Sequence, residues 1–203
     1  QCQETNGRRS LHAQKTLGKT TGWLSYTLSK SDRKFAKGAI NNGERFPYKY
    51  DRRHIINLTL NHKFSERIDI GASWVFYTGG TSTIPEEKTT IIRPGNGANN
   101  GFILGFDNYY NPIYNNSPNV GEANYIEHRN NYRLPASHRL NIGINFNKKT
   151  KHGMRIWNIS LYNAYNSMNP AWVFRSHNDD GKSVIKKYTL LPCIPSFTYT
   201  YKF

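Results

Sequence analysis

The chain has 203 residues, enough for one domain, and no stretch of it approaches the roughly 20 consecutive apolar residues of a membrane-spanning helix, so a helical membrane protein is excluded. Only 36% of the residues are hydrophobic and the mean hydropathy is −0.75, which still admits a membrane β-barrel, because barrel strands need apolar residues only at alternate positions. The formal charge of +15 invites a nucleic-acid reading, but the Lys and Arg are dispersed over loops and turns, so a solvated surface that also suits anionic lipid headgroups is the expectation and nucleic acid is not.

Seven runs place apolar residues at every second position, and so on one face of a strand. In chain order, 10–17 and 21–30 are the weaker cases, the latter carrying Leu24, Tyr26 and Leu28. Residues 54–64 carry Ile56, Leu58, Leu60 and Phe64, and 67–78 set Ile68, Ile70, Ala72, Trp74 and Phe76 against Asp69, Gly71 and Ser73. In 137–147, Leu140, Ile142, Ile144 and Phe146 oppose Arg139, Asn141, Gly143 and Asn145. In 154–163, Trp157, Ile159 and Leu161 oppose Asn158, Ser160 and Tyr162, and in 196–203 the set is Phe197, Tyr199, Tyr201 and Phe203.

The connections alternate in length. Short turns are expected at Gly18 and Lys19, at Ser65 and Glu66, and over 147–153, with long loops over 31–52, 79–136 and 164–193. The longest far exceeds the roughly 12–15 residues beyond which structureless loops become uncommon in compact domains. If the final strand ends in the periplasm, every short turn falls on that side and every long loop outside, the asymmetry of outer-membrane barrels. Within 164–193, residues 171–175 and 184–190 flank Asn178, Asp179, Asp180 and Gly181, which reads as a hairpin. The fold class is therefore all-β: an antiparallel transmembrane β-barrel portion of about seven strands, occupying 10–203 behind a poorly defined edge at 1–9. Seven strands do not close into the even-stranded barrels usual in bacteria, and no secretory signal opens the sequence, so a fragment of a longer chain is expected.

Cys2 and Cys193 stand at opposite ends, outside any zinc or redox spacing, and unpaired thiols are expected. Asp51, Arg52, Arg53 and His54 form the densest charged cluster. His54 has no second ligand at useful spacing, so the expectation is a structural rim in which Asp51 pairs with the arginines, whose forks would also suit lipopolysaccharide phosphates. Glu86, Glu87, Asp179 and Asp180 lack a calcium-loop pattern and read as turns. Tyr109, Tyr110, Tyr114, Tyr125 and Trp172 fall in the long loops, where their rings suit stacking on a flat ligand or on one another. No catalytic motif occurs, and neither an enzyme nor a cofactor nor a metal is expected.

Several stretches carry a family resemblance: 22–31 (GWLSYTLSKS), 46–57 (FPYKYDRRHIIN), 74–80 (WVFYTGG), 158–170 (NISLYNAYNSMNP) and 191–203 (LPCIPSFTYTYKF). In this order and spacing they resemble the late barrel strands of TonB-dependent receptors, especially those of Bacteroidetes type, over residues 10–203. The resemblance implies a plugged barrel of about 22 strands in the outer membrane of a Gram-negative bacterium, importing glycan, peptide or metal-chelate ligands. It implies lipid and lipopolysaccharide as surroundings, a surface lipoprotein as partner, and TonB engaged only through upstream segments. The alternating aromatic end at Phe197, Tyr199, Tyr201 and Phe203 resembles the signal read by the barrel assembly machinery. Two alternatives remain open: a small outer-membrane barrel acting as an adhesin or structural protein, and a soluble β-sandwich carbohydrate-binding module.

Overall fold

Each alternating run becomes a long antiparallel strand: Gln3–Lys15, Thr20–Lys34, His54–Lys63, Ile68–Tyr77, Ser137–Thr150, Gly153–Tyr162 and Ile194–Lys202, called here the first to the seventh. The structure is a computed structural model and describes residues 2–92, 103–106, 112–114 and 120–203. The seven strands hydrogen-bond in chain order into one sheet, and the short strand Phe46–Pro47 pairs with the upper end of the second. The first and seventh strands are its edges, and they do not pair with each other.

Antiparallel pairing in chain order puts the connections at two opposite ends. The turns at 16–19, 64–67 and 151–152 share one end with Phe203, and the connections 35–53, 78–136 and 163–193 leave from and return to the other. This is the short-and-long alternation expected from the sequence. Gly18 (φ +94°) makes the first turn, in a backbone region that side chains disfavour.

Three boundaries differ from the sequence expectation. Residues 3–9, expected as a poorly defined edge, are strand, because Gln3 to Lys15 pair with Lys34 to Gly22 in unbroken register. The same pairing carries the second strand to Lys34, so the first long connection begins at 35 rather than 31. The turn expected over 147–153 shrinks to Lys151 and His152, since Lys148, Lys149 and Thr150 still pair with Arg155, Met154 and Gly153. Ladder bonds join main-chain groups and persist where the apolar alternation has stopped.

The hairpin around Asn178 forms as expected, from Pro170–His177 and Ser183–Thr189. Gly181 (φ +73°) makes its turn, and Asn178 Oδ1 accepts from the Lys182 amide at 2.7 Å. Among the described residues this hairpin pairs only with itself. Residues 85–127 form a separate compact unit, in which Glu87–Ile92 pairs with Val120–Tyr125 and Ile103–Phe106 with Pro112–Tyr114.

The sheet has no conventional core. Among the described residues only Phe46 and Ile84 are buried hydrophobics, and both belong to the long connections. Phe46 stacks on Phe35 with ring centres 6.0 Å apart. The other buried residues, Thr27, Asp32, Asn41, Asp51, Thr81, Ser137 and Asn163, are polar and cluster toward the same long-loop end. A sandwich needs a second sheet about 10 Å above the apolar face; here that face is open. The chain is all-β and antiparallel, and the sheet is not closed.

Candidate functional site

Register converts the seven alternating strands into a wall with two chemically distinct faces. On one face Leu24, Leu58, Trp74 and Leu140 form a row across four strands. A second row joins Ile70, Ile144, Ile159 and Phe197, and a third Ile68, Phe146, Trp157 and Tyr199. Such directly opposed apolar pairs contribute roughly 0.2–1 kcal/mol each relative to alanine pairs. Trp157 lies 4.5 Å from Tyr199 and 5.2 Å from Phe197, ring centre to ring centre. The rows remain uncovered: Ile159 is 49% exposed and Phe197 63%.

Over the fourth, fifth and sixth strands the opposite face carries a network of amides and hydroxyls. Asn158 Nδ2 donates to Asn145 Oδ1 at 2.6 Å, and Asn145 Nδ2 donates to Asp69 Oδ2 at 2.7 Å. Asn147 Nδ2 donates to the other Asp69 oxygen at 2.6 Å, and Asn141 Nδ2 to Ser73 Oγ at 3.1 Å. Gly71 and Gly143 face each other in register, and a depression of about 390 Å³ lies over them, bordered by Thr59, Asn61, Ser73 and Ser160. A face so built is at home against water or a polar partner, whereas the other is not.

At the long-loop end the connections are fastened by side chain to backbone bonds. Asn41 Nδ2 donates to the Arg129 carbonyl at 3.2 Å while its Oδ1 accepts from the Arg129 amide at 2.8 Å. Asn131 brackets Ile84 in the same way, at 2.9 Å on each side. Asn130 Nδ2 donates to the Pro47 carbonyl at 2.8 Å. Asn163, 1% exposed, donates to the carbonyls of Ser167 and Leu191 and accepts from the Ser167 amide.

The charged cluster at 51–54 divides when folded. Asp51 is 1% exposed; its Oδ1 accepts from the Ser31 amide at 2.8 Å, and its Oδ2 lies 2.6 Å from Arg133 Nη2 and 4.0 Å from Arg53 Nη2. Its closest partner is thus Arg133, to which no sequence spacing points. Arg52 instead lays its guanidinium over the Tyr77 ring, 4.0 Å from the centre. His54 begins the third strand, and its Nδ1 is 2.9 Å from the Tyr26 hydroxyl. Arg139, noted in the sequence only as a polar-face residue, sits 4.3 Å over the Tyr162 ring and donates through Nη1 to that hydroxyl.

No protein-family model, curated protein or solved structure matches this chain.

The terminal aromatics Phe197, Tyr199, Tyr201 and Phe203 alternate along an open edge and are all exposed on the apolar face. Trp172 is 49% exposed and packs 4.7 Å from Tyr188, which in turn lies 5.2 Å from Phe174, so these rings stack across their own hairpin. Tyr125 is exposed. Tyr109 and Tyr110 lie outside the described residues, and Tyr114 ends the strand Pro112–Tyr114. Cys2 and Cys193 are both free thiols.

Proposed function

We propose that this chain is the C-terminal barrel portion of a TonB-dependent receptor, which imports glycan, peptide or metal-chelate nutrients across the outer membrane of a Gram-negative bacterium. One observation carries the reading. A seven-stranded antiparallel sheet exposes rows of apolar residues on one face, backs them with an amide-rich face, and segregates short turns from long loops at opposite ends. The apolar face suits lipid and the polar face suits a filled or hydrated lumen.

Two unpaired edges support membership of a larger barrel. In lipid each unsatisfied backbone group costs several kcal/mol, so the first and seventh strands need further strands beside them. Those strands, a plug and the TonB-engaging segment would come from upstream sequence. Among the described residues the hairpin at 170–189 pairs only with itself and offers no eighth long strand to a small closed barrel, and the uncovered apolar face argues against a sandwich. The partners of the wall are lipid and lipopolysaccharide; the aromatic end addresses the assembly machinery, and the long loops face ligand and a surface lipoprotein. No catalytic step is assigned.

Epitope insertion into the intact gene product tests this. A tag between Asp179 and Asp180 should react with antibody on whole cells, and one between Lys151 and His152 only after permeabilisation. Equal labelling at both sites, or recovery of the protein in the soluble fraction, would sink the membrane reading. Import is tested separately, by uptake of labelled oligosaccharides, peptides and metal chelates in a strain lacking the gene.

A further inference from the structure

We infer that the long-loop end of the polar face holds a binding site for the oxyanion of a solute, a carboxylate or phosphate group, built on Arg52 and Arg139. The inference deepens the import reading, and rests on it in taking the polar face as the one that meets solute.

Both arginines lie over tyrosines of that face: Arg52 over Tyr77 and Arg139 over Tyr162. The two pairs are neighbours through the ladder. Tyr77 is opposite Ser137 in register, and Arg139 is the next residue along the fifth strand on the same face. Such diagonal positions lie roughly 7–8 Å apart, within reach of long side chains. Two guanidiniums and two aromatic faces therefore share one end of the polar wall.

What the patch lacks, among the described residues, is negative charge. Among the described residues neither Arg52 nor Arg139 has a carboxylate within 4.0 Å, whereas the nearby Asp51 is engaged by Arg133 and Arg53. Arg139 is also short of acceptors: its Nη1 is satisfied by Tyr162, but its Nε is buried without any partner. A guanidinium pressed against a ring has given up water on one side, and an unbalanced, partly desolvated charge is costly. A planar oxyanion brings the missing charge and accepts from the guanidinium N–H groups left free, though not from the buried Nε. The same chemistry could be supplied by a lipid phosphate, but a headgroup would approach from the opposite, apolar face.

The test is isothermal titration calorimetry of inorganic pyrophosphate into the full gene product in detergent, repeated with vesicles containing phosphatidylglycerol. Saturable pyrophosphate binding is expected, with Arg139→Gln and Arg52→Gln each weakening it about tenfold or more, the loss of one charged hydrogen-bonding group. Arg139→Lys should recover part of that loss, and Lys151→Gln, at the opposite end of the sheet, should bind like the parent. Unfolding midpoints measured alongside identify a variant that has lost its fold; Arg52→Gln lies outside the strands and keeps the test open if Arg139→Gln is damaged. Pyrophosphate binding that survives the double variant, or none at all, overturns the site. Arginine-dependent binding to the vesicles without binding to pyrophosphate overturns the solute and assigns the arginines to headgroups. Outside and inside labelling of the two epitope tags stands or falls independently of these titrations.

Discussion

Asp51 and Arg133 stand 82 residues apart in the chain and meet with 2.6 Å between carboxylate Oδ2 and guanidinium Nη2. Arg133 also donates through Nη1 to the carbonyls of Asp51 and Gly79, at 3.0 and 2.9 Å, so one side chain ties the connection 35–53 to both ends of the connection 78–136. The Asp51 side chain is fully buried while that of Arg133 is 40% exposed. Asp51→Asn keeps the shape and removes the charge, and should cost about 2–3 kcal/mol. Faster limited proteolysis within 35–53, together with a lowered unfolding midpoint, is the measurement; an unchanged digestion pattern would show the knot to be dispensable.

Asn163 combines a left-handed backbone (φ +53°) with three side-chain hydrogen bonds, while 1% exposed. Asn163→Ala loses both features, and about 2–4 kcal/mol is the expected cost. Asn163→Gly relieves the backbone but not the bonds, so its denaturation midpoint should fall between alanine and wild type.

Gly79 has no room for a side chain, because a Cβ there would overlap the Leu134 carbonyl. Gly79→Ala must push apart the segments that Arg133 holds, at an expected cost of about 1–3 kcal/mol. Thermal unfolding of this variant and of Gly181→Ala distinguishes the causes, since Gly181 has open space and only an unfavourable φ.

Ile159 and Ser160 are adjacent on the sixth strand and face opposite ways. On the proposed reading Ile159→Arg places a charge in hydrocarbon, costing about 2–4 kcal/mol near the midplane, while Ser160→Arg is tolerated on the polar face. Urea titration of the two variants in lipid vesicles reads this directly, and equal destabilisation would contradict a lipid-facing Ile159.

Glu66 and Lys149 pair at 3.1 Å across the short-turn end, both strongly exposed. The hydrogen bond from Lys149, together with its charge, lowers the Glu66 pKa. Any stability from the pair is thus present above the ordinary carboxylate range and is lost as pH falls through the lowered value. Since the pair is in water, Glu66→Gln should leave the unfolding midpoint at neutral pH almost unchanged. Its acid-limb titration should also lack the Glu66 component.

Reading the strands from sequence worked where one face differed from the other. The runs around Leu140, Trp157 and Tyr199 announced both the strand and its orientation, and Asn178 to Gly181 announced a turn, because each signal is local. The strand at 3–9 was illegible for a matching reason. Its residues, Gln3 through Arg9, have no apolar alternation, and main-chain pairing with the second strand holds them in place. The candidate anion site was equally hidden, since nothing in the spacing of Arg52, Tyr77, Arg139 and Tyr162 announces that ladder register will bring them to one end of one face.

By itself the sequence determined an antiparallel sheet with one apolar and one polar face, and the division into short and long connections. Both follow from a side-chain period of two and from loop length, properties of neighbouring residues. The tertiary structure alone decided which distant groups meet: Asp51 with Arg133, Asn41 with Arg129, and Arg139 with Tyr162. Those contacts depend on register and on the path of the long connections, which pair residues across tens of positions and leave no periodic trace in the chain.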